Sequence, residues 1–178
     1  MQAKDKINII NADLTKLQVD AIVNAANNSL TGGGGVDGAI HRAAGPELKQ
    51  YCATLKGCAT GNAKITPGFN LPVKYIIHAV GPVWNNGTRN EEQLLASCYQ
   101  KSMELSTMHQ CMSIAFPCIS TGAYRFPFDK ACRIALHTIH SFLQAQPLMQ
   151  KVLLVTFDQT DFQLYQREYE KYFYSSAQ

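Results

Sequence analysis

Short apolar runs rich in β-branched and aromatic residues alternate along this chain with stretches of helical periodicity. That alternation restricts the fold to an α/β arrangement. The strand-like runs are Lys6–Ile10, Val19–Val23, Lys74–Val80, Ser113–Phe116 and Lys151–Phe157, with a shorter one at Ala63–Thr66. The helical stretches are Val36–Ala44, a second starting at Pro46, then Glu91–Met108, Phe128–Gln144 and Asp161–Phe173. Val36, Ile40, Ala43 and Ala44 form one stripe that stops at Gly45-Pro46, and proline suits the first position of the helix that follows. Asn90 stands where an N-cap belongs, ahead of inward-facing Leu94, Leu95, Cys98 and Leu105. Such an order puts helices on both faces of a largely parallel or mixed sheet. Ligands in folds of this kind sit beyond the carboxyl ends of the strands. The loops that follow strands are therefore where chemistry is expected.

The 178 residues fit a single domain spanning the whole chain, 1–178, large enough to bury a core. The net charge of +3 argues mildly for an anionic ligand and against a nucleic-acid binder. The opening MQAKDKINII lacks the apolar segment and cleavage site of a signal peptide. No run approaches the roughly 18 apolar residues of a membrane span. A cytoplasmic protein, probing no membrane, is the expectation. Six cysteines include no C-x-x-C pair and read as reduced structural thiols rather than disulfides or a metal site. His137 and His140 share a helix at i, i+3 with no third ligand in view, which is a weak metal signal. No metal and no cofactor is expected.

The stretch Thr31–His41, TGGGGVDGAIH, follows a strand and opens a helix. Glycines let successive backbone N–H groups turn inward as an anion nest, and the helix start adds unpaired N–H groups and a positive dipole end. A phosphate or diphosphate is the natural guest; a flexible surface turn is the plain alternative. The Gly-Lys-Ser/Thr ending of a P-loop is absent. The spacing G-x-G-x-x-G does occur at Gly33, Gly35 and Gly38. However, Asn24–Thr31 separate the strand from the glycines, and no acid ends a second strand about 20 residues on. Asp37 would also oppose a pyrophosphate bound in that way. As a first-turn acid it gains about 0.3–1 kcal/mol from the helix dipole. As a functional group it is a carboxylate one step from a bound diphosphate, aimed at the neighbouring sugar or a water. His41, four residues on, shares its face. Asn24 and Asn27 precede the glycines, and an amide that both donates and accepts suits ribose hydroxyls. Downstream, Ser120–Tyr124 (STGAY) joins a strand to a helix and offers hydroxyls and N–H groups for a second clamp.

Taken together, DLTKLQVDAIVNAANNSLTGGGGVDGAIHRAAGPEL, KYIIHAVGPVW and FPCISTGAYRFP resemble, in order, the blocks of a macrodomain of the MacroD type. The resemblance runs from about Ile7 to Phe173. It implies a three-layer α/β/α sandwich around a central mixed sheet, with an ADP-ribose pocket across the carboxyl ends of the strands. It also implies a metal-independent hydrolase that removes mono-ADP-ribose from acidic side chains and deacetylates O-acetyl-ADP-ribose. By position, Asp13 would accept from the adenine amino group beside the Leu14 backbone, and Phe157 would stack near the adenine. Gly34, Gly35 and Val36 would hold the diphosphate from one side, and Ser120, Thr121, Gly122, Ala123 and Tyr124 from the other. Asn27 and Asp37 would face the distal ribose as the catalytic pair, with Asp37 positioning or deprotonating a water and His41 in support. The implied partners are ADP-ribose, its esters and mono-ADP-ribosylated proteins, with nucleic acid only as an ADP-ribosylated substrate, and the chain as a monomer.

Two positions depart from the family pattern. Ala12 stands where glycine is common before the adenine-side acid. Arg125 stands where glycine is common after the aromatic of the second loop. If that position needs φ > 0, arginine strains or reshapes the loop; otherwise it adds a cation to the diphosphate site or is simply solvated. The rival function is a reader that binds ADP-ribose without cleaving it. The presence of both Asn27 and Asp37 favours the enzyme.

Overall fold

The computed structural model describes residues 1–175. Its strands are β1 (Ile7–Asn11), β2 (Ala21–Ala25), β3 (Ala63–Pro67), β4 (Tyr75–Ala79), β5 (Ser113–Phe116) and β6 (Lys151–Thr156). They form one sheet in the order β1-β6-β5-β2-β4-β3. Neighbours from β1 to β4 are parallel, and β3 runs antiparallel to β4 along the edge. The helices are α1 (Gly35–Ala44), α2 (Pro46–Thr54), α3 (Glu91–Met108), α4 (Phe128–Ala145) and α5 (Gln159–Tyr174).

Strand side chains alternate between faces, and that alternation builds two cores. Ile22, Ile76, Ala115 and Val155 pack with Ile40, Ala44, Leu48 and Cys52 of α1 and α2. Val23, Ile77, Ile114 and Phe116 pack with Leu95, Met103, Leu136, Ile139 and Tyr165 of α3, α4 and α5. The result is the three-layer α/β/α sandwich around a mixed sheet. Each fully buried Ile or Leu contributes about 1.5–3 kcal/mol relative to exposure. All six cysteines are free thiols, and burial pushes Cys98 and Cys118 up to about 12, far from reactivity.

Two elements are shifted by two residues from the expectation, and one expected cap is replaced. Strand β2 lies two residues later than Val19–Val23. Val19 is buried from a loop, while Asp20 accepts the Met112 N–H at 2.7 Å and donates its own N–H to Ser113 Oγ. The strand continues instead through Asn24, a polar residue that the apolar pattern excluded. Helix α5 starts two residues early because the Asp158 carboxylate caps it, accepting from the Asp161 N–H at 2.7 Å. Asn90 does precede α3, but it is left-handed (φ 59°) and its side chain makes no cap bond. The buried Glu91 carboxylate gathers the N–H groups of Asn85, Gly87 and Arg89 instead, fixing the loop ahead of the helix.

Candidate functional site

The carboxyl ends of β1, β6, β5 and β2 are adjacent in that order, and each carries a loop singled out from the sequence. Asp13 follows β1, Phe157 follows β6, Ser120–Tyr124 follow β5, and Asn27 with the glycines follows β2. Sheet topology thus sets the groups assigned to adenine, diphosphate and distal ribose along one edge.

At the glycine loop, a Cβ on Gly34 or Gly35 would meet nothing within 4 Å, so this backbone borders open space. Gly35 opens α1 with φ +57°, a conformation that glycine adopts without penalty. Gly33 is different. A Cβ there would lie 3.3 Å from Asp37 Oδ2 and 3.9 Å from Asn27 Nδ2. The two side chains therefore converge on one small space that the missing side chain leaves free. Asn27 also holds the loop: its Nδ2 donates to Gly32 O at 3.0 Å, and its Oδ1 accepts from Ser29 Oγ at 3.0 Å. One N–H and one lone pair of the amide remain for a ligand.

Asp37 does stand in the first turn of α1, but at 6% exposed it is a buried carboxylate and not a surface one. Its Oδ1 accepts from Asn24 Nδ2 at 2.8 Å, and His41 Nε2 lies 3.4 Å away without hydrogen-bond alignment. Asn24 Nδ2 is also 3.1 Å from His78 Nδ1, and His78 Nε2 is 3.0 Å from Thr66 Oγ1. Four elements thus contribute to one buried polar chain beneath the loop: β3, β4, β2 and α1. His78, in the apolar run KYIIHAV, and Thr66 were not singled out from the sequence. Their only signal was a polar residue inside a strand otherwise buried.

Burial drives the His78 imidazole down to about 3, with proximity to His41 adding to it. The native state therefore holds His78 neutral while the unfolded chain protonates it below its ordinary value. The unfolded state then binds more protons, so stability is full above the unfolded value of 6.5 and is lost as pH falls towards 3. Between pH 7 and pH 5 this one group removes about 2 kcal/mol. Urea unfolding at the two pH values measures the loss, which is expected to shrink in His78→Asn.

The loop expected to form the second clamp stands on strained backbone. Ser120 takes φ +67° and Arg125 φ +60°. The Phe126 N–H donates to Ser120 O at 2.9 Å, the Arg125 N–H to Gly122 O at 3.0 Å, and the Trp84 N–H to Tyr124 O at 2.8 Å. Ser120 is buried, and its hydroxyl has no hydrogen-bond partner among the described residues. It seats where a Cβ on Gly81 would come within 2.2 Å of it, so Gly81 is required for this loop to dock. The Thr121 hydroxyl is turned back to Cys118 O at 2.9 Å, while Gly122 and Ala123 are exposed. Arg125 is thus the strained residue anticipated at a glycine position, and it is exposed. A left-handed non-glycine residue costs about 1–2 kcal/mol, against about 0.5–1 kcal/mol for glycine's extra chain entropy. Arg125→Gly is accordingly expected to stabilise by about 0.5–1 kcal/mol, a small rise in melting temperature measurable by calorimetry.

At the far end, Asp13 caps a short 3-10 turn, Leu14–Lys16. Hydrogen bonds from the Thr15 hydroxyl (2.7 Å) and the Thr15 N–H (2.9 Å) hold its carboxyl below the usual range. Both bonds use Oδ1; Oδ2 makes no hydrogen bond among the described residues and lies 4.0 Å from Lys16 Nζ. Leu14 is buried, its side chain packed in the core, so it offers a ligand no side-chain contact. Phe157 is 58% exposed, just past the end of β6. Ala12 avoids the left-handed region, so alanine fits there without strain. Among the described residues no group of three or more His, Cys, Asp or Glu side chains is placed to hold a metal ion.

Comparison with known proteins agrees with this architecture. The Macro domain family model matches residues 23–135. A Macro domain-containing protein of Methanosarcina mazei is 58% identical over 86% of this chain and 82% of its own. The ADP-ribose glycohydrolase MACROD2 of Xenopus laevis is 49% identical over 95% of this chain, which spans 41% of that protein's length. A Trypanosoma brucei macrodomain solved in complex with ADP-ribose superimposes with a TM-score of 0.86 at 40% identity, covering 91% of this chain and 68% of that one. With a family match over more than half its length and relatives this close, the chain belongs to the macrodomain family.

Proposed function

We propose that this protein binds ADP-ribose along the carboxyl edge of the sheet and hydrolyses esters at the distal ribose, releasing mono-ADP-ribose from acidic side chains and acetate from O-acetyl-ADP-ribose. The observation that carries the reading is the convergence of Asn27 Nδ2 and Asp37 Oδ2 on the space above Gly33, next to a glycine loop whose open side suits a diphosphate. A related chain named as an ADP-ribose glycohydrolase and a related macrodomain solved with ADP-ribose support the same ligand class.

In this mechanism the N–H groups of the two loops neutralise the diphosphate and orient the ligand. The free N–H of the Asn27 amide fixes a distal ribose hydroxyl. Asp37 Oδ2 takes a proton from water as the water oxygen attacks the ester carbonyl. The acyl carbon–ribose oxygen bond then breaks. The ribose oxygen leaves with the proton returned from Asp37, and the acid departs as carboxylate. No electron transfer or metal enters the balance. Incubation with O-acetyl-ADP-ribose, with acetate and ADP-ribose quantified, tests the reading. Catalytic release of both products is expected. Calorimetric binding of ADP-ribose without release would leave a reader, and absence of binding would remove the ligand assignment altogether.

A further inference from the structure

The buried polar chain beneath Asp37 can be assigned proton by proton. Asn24 Nδ2 has two hydrogens and two partners, Asp37 Oδ1 at 2.8 Å and His78 Nδ1 at 3.1 Å. The carboxylate only accepts, so the amide must present its NH2 to this side. His78 Nδ1 must then be the acceptor, which makes the ring neutral with its proton on Nε2. That N–H donates to Thr66 Oγ1 at 3.0 Å, and the Thr66 hydroxyl donates onward to Pro67 O at 3.1 Å. Each donor has an acceptor: the Asn24 NH2 donates to Asp37 on one side and to His78 on the other, and from His78 the bonds run on through Thr66 to Pro67 O.

The arrangement has one weak point. Asn24 Oδ1 is buried without a hydrogen-bond partner among the described residues. A flipped amide would set that oxygen against the Asp37 carboxylate and an NH2 where the oxygen now stands. His78 opposes the flip, because its lone pair holds the second N–H of the same amide. A protonated ring, or the other tautomer, would present an N–H to that NH2 and favour the flipped state. Burial of His78 keeps the ring neutral.

We propose that His78 is a positioning residue: as the neutral Nε2–H tautomer, backed by Thr66, it locks the Asn24 amide so that Asp37 keeps Oδ1 anchored and Oδ2 turned towards Asn27 and the reacting ester. The two carboxylate oxygens thereby have separate duties. Asn24 holds Oδ1, with His41 alongside, and Oδ2 faces the space above Gly33. The catalytic consequence rests on the hydrolase reading above; the amide lock itself does not.

The test combines ring spectroscopy with kinetics. Nitrogen-15 shifts of the His78 ring in the wild-type protein should show Nε2 protonated and Nδ1 bare from about pH 5 to pH 8. An Nδ1–H tautomer, or an imidazolium within that range, overturns the proposal. His78→Leu removes the acceptor and should lower kcat about 10- to 100-fold through misplacement of Asp37, with the Kd for ADP-ribose kept within about threefold. His78→Asn restores an acceptor at the Nδ1 position and should recover most of kcat. Thr66→Val, which removes only the far acceptor, serves if His78→Leu fails to fold, and should lower kcat less while leaving Kd alone. Full kcat in both His78→Leu and Thr66→Val, or parallel losses of kcat and binding, overturns the proposal. If the wild-type protein hydrolyses nothing, the hydrolase reading fails separately. The lock is then decided by the Asn24 side-chain amide protons, protected from exchange in the wild type and exposed to it in the variants. Equal protection in all of them overturns it.

Discussion

Asp37→Ala is expected to lower ADP-ribosyl ester hydrolysis at least about 100-fold, the scale of a lost general base, while ADP-ribose binds as well as before or better. The sign on binding follows from charge. Asp37 is a buried carboxylate beside the loop where the proposed diphosphate would sit, so its removal is expected to relieve like-charge repulsion in the ground state. Hydrolysis loses the group that takes the water's proton. The fold should survive, because the first turn of α1 gains an alanine and Asn24 retains His78 as a partner. Parallel calorimetry and turnover assays separate the two effects. Loss of binding together with activity would mean that Asp37 shapes the pocket and does not act on the reacting bond.

Gly38→Ala should damage both stability and binding, although helix propensity alone predicts the reverse. Alanine in a helix gains about 1 kcal/mol over glycine. At this position, however, the new Cβ would stand 2.4 Å from the Gly33 carbonyl oxygen and 3.1 Å from Arg42 Nη1. The arginine end can move. The carbonyl belongs to the loop that faces Asn27 and Asp37, and it can move only by displacing that loop. Overpacking of this kind costs about 1–3 kcal/mol. Less the helix-propensity gain, the net effect is expected to be a destabilisation of up to about 2 kcal/mol, a fall of up to several degrees in melting temperature. ADP-ribose affinity should drop at least about tenfold, roughly 1.4 kcal/mol, as the cradle shifts. A stabilised variant with unchanged affinity would show that the loop tolerates the shift.

Much of the fold is legible in residue order because period-2 apolar runs and 3.6-residue stripes seldom mimic one another over these lengths. The α4 stripe through Cys132, Leu136 and Ile139 ends up against the sheet, as its spacing requires. Misreadings occurred where a polar residue does tertiary work. Asn24 interrupts an apolar run, yet it continues β2 because its amide NH2 is satisfied by α1 and β4. Asn90 has the chemistry of a cap, but Glu91 supplies the bonds by reaching back to three loop N–H groups. The candidate site residues are legible because they follow strands whose carboxyl ends are neighbours. What local sequence could not supply was register. Only the pairing of Asn24 with His78 across β2 and β4 brings the imidazole under Asp37. The close approach of Gly38 to Gly33, and of Gly81 to Ser120, likewise appears only once the chain is folded.

The most direct test is a time course of free ADP-ribose released from a peptide mono-ADP-ribosylated on a glutamate, with the wild-type protein present in catalytic amounts. The account predicts release over many turnovers, unaffected by a metal chelator. A peptide that stays modified while the protein binds ADP-ribose tightly would contradict it.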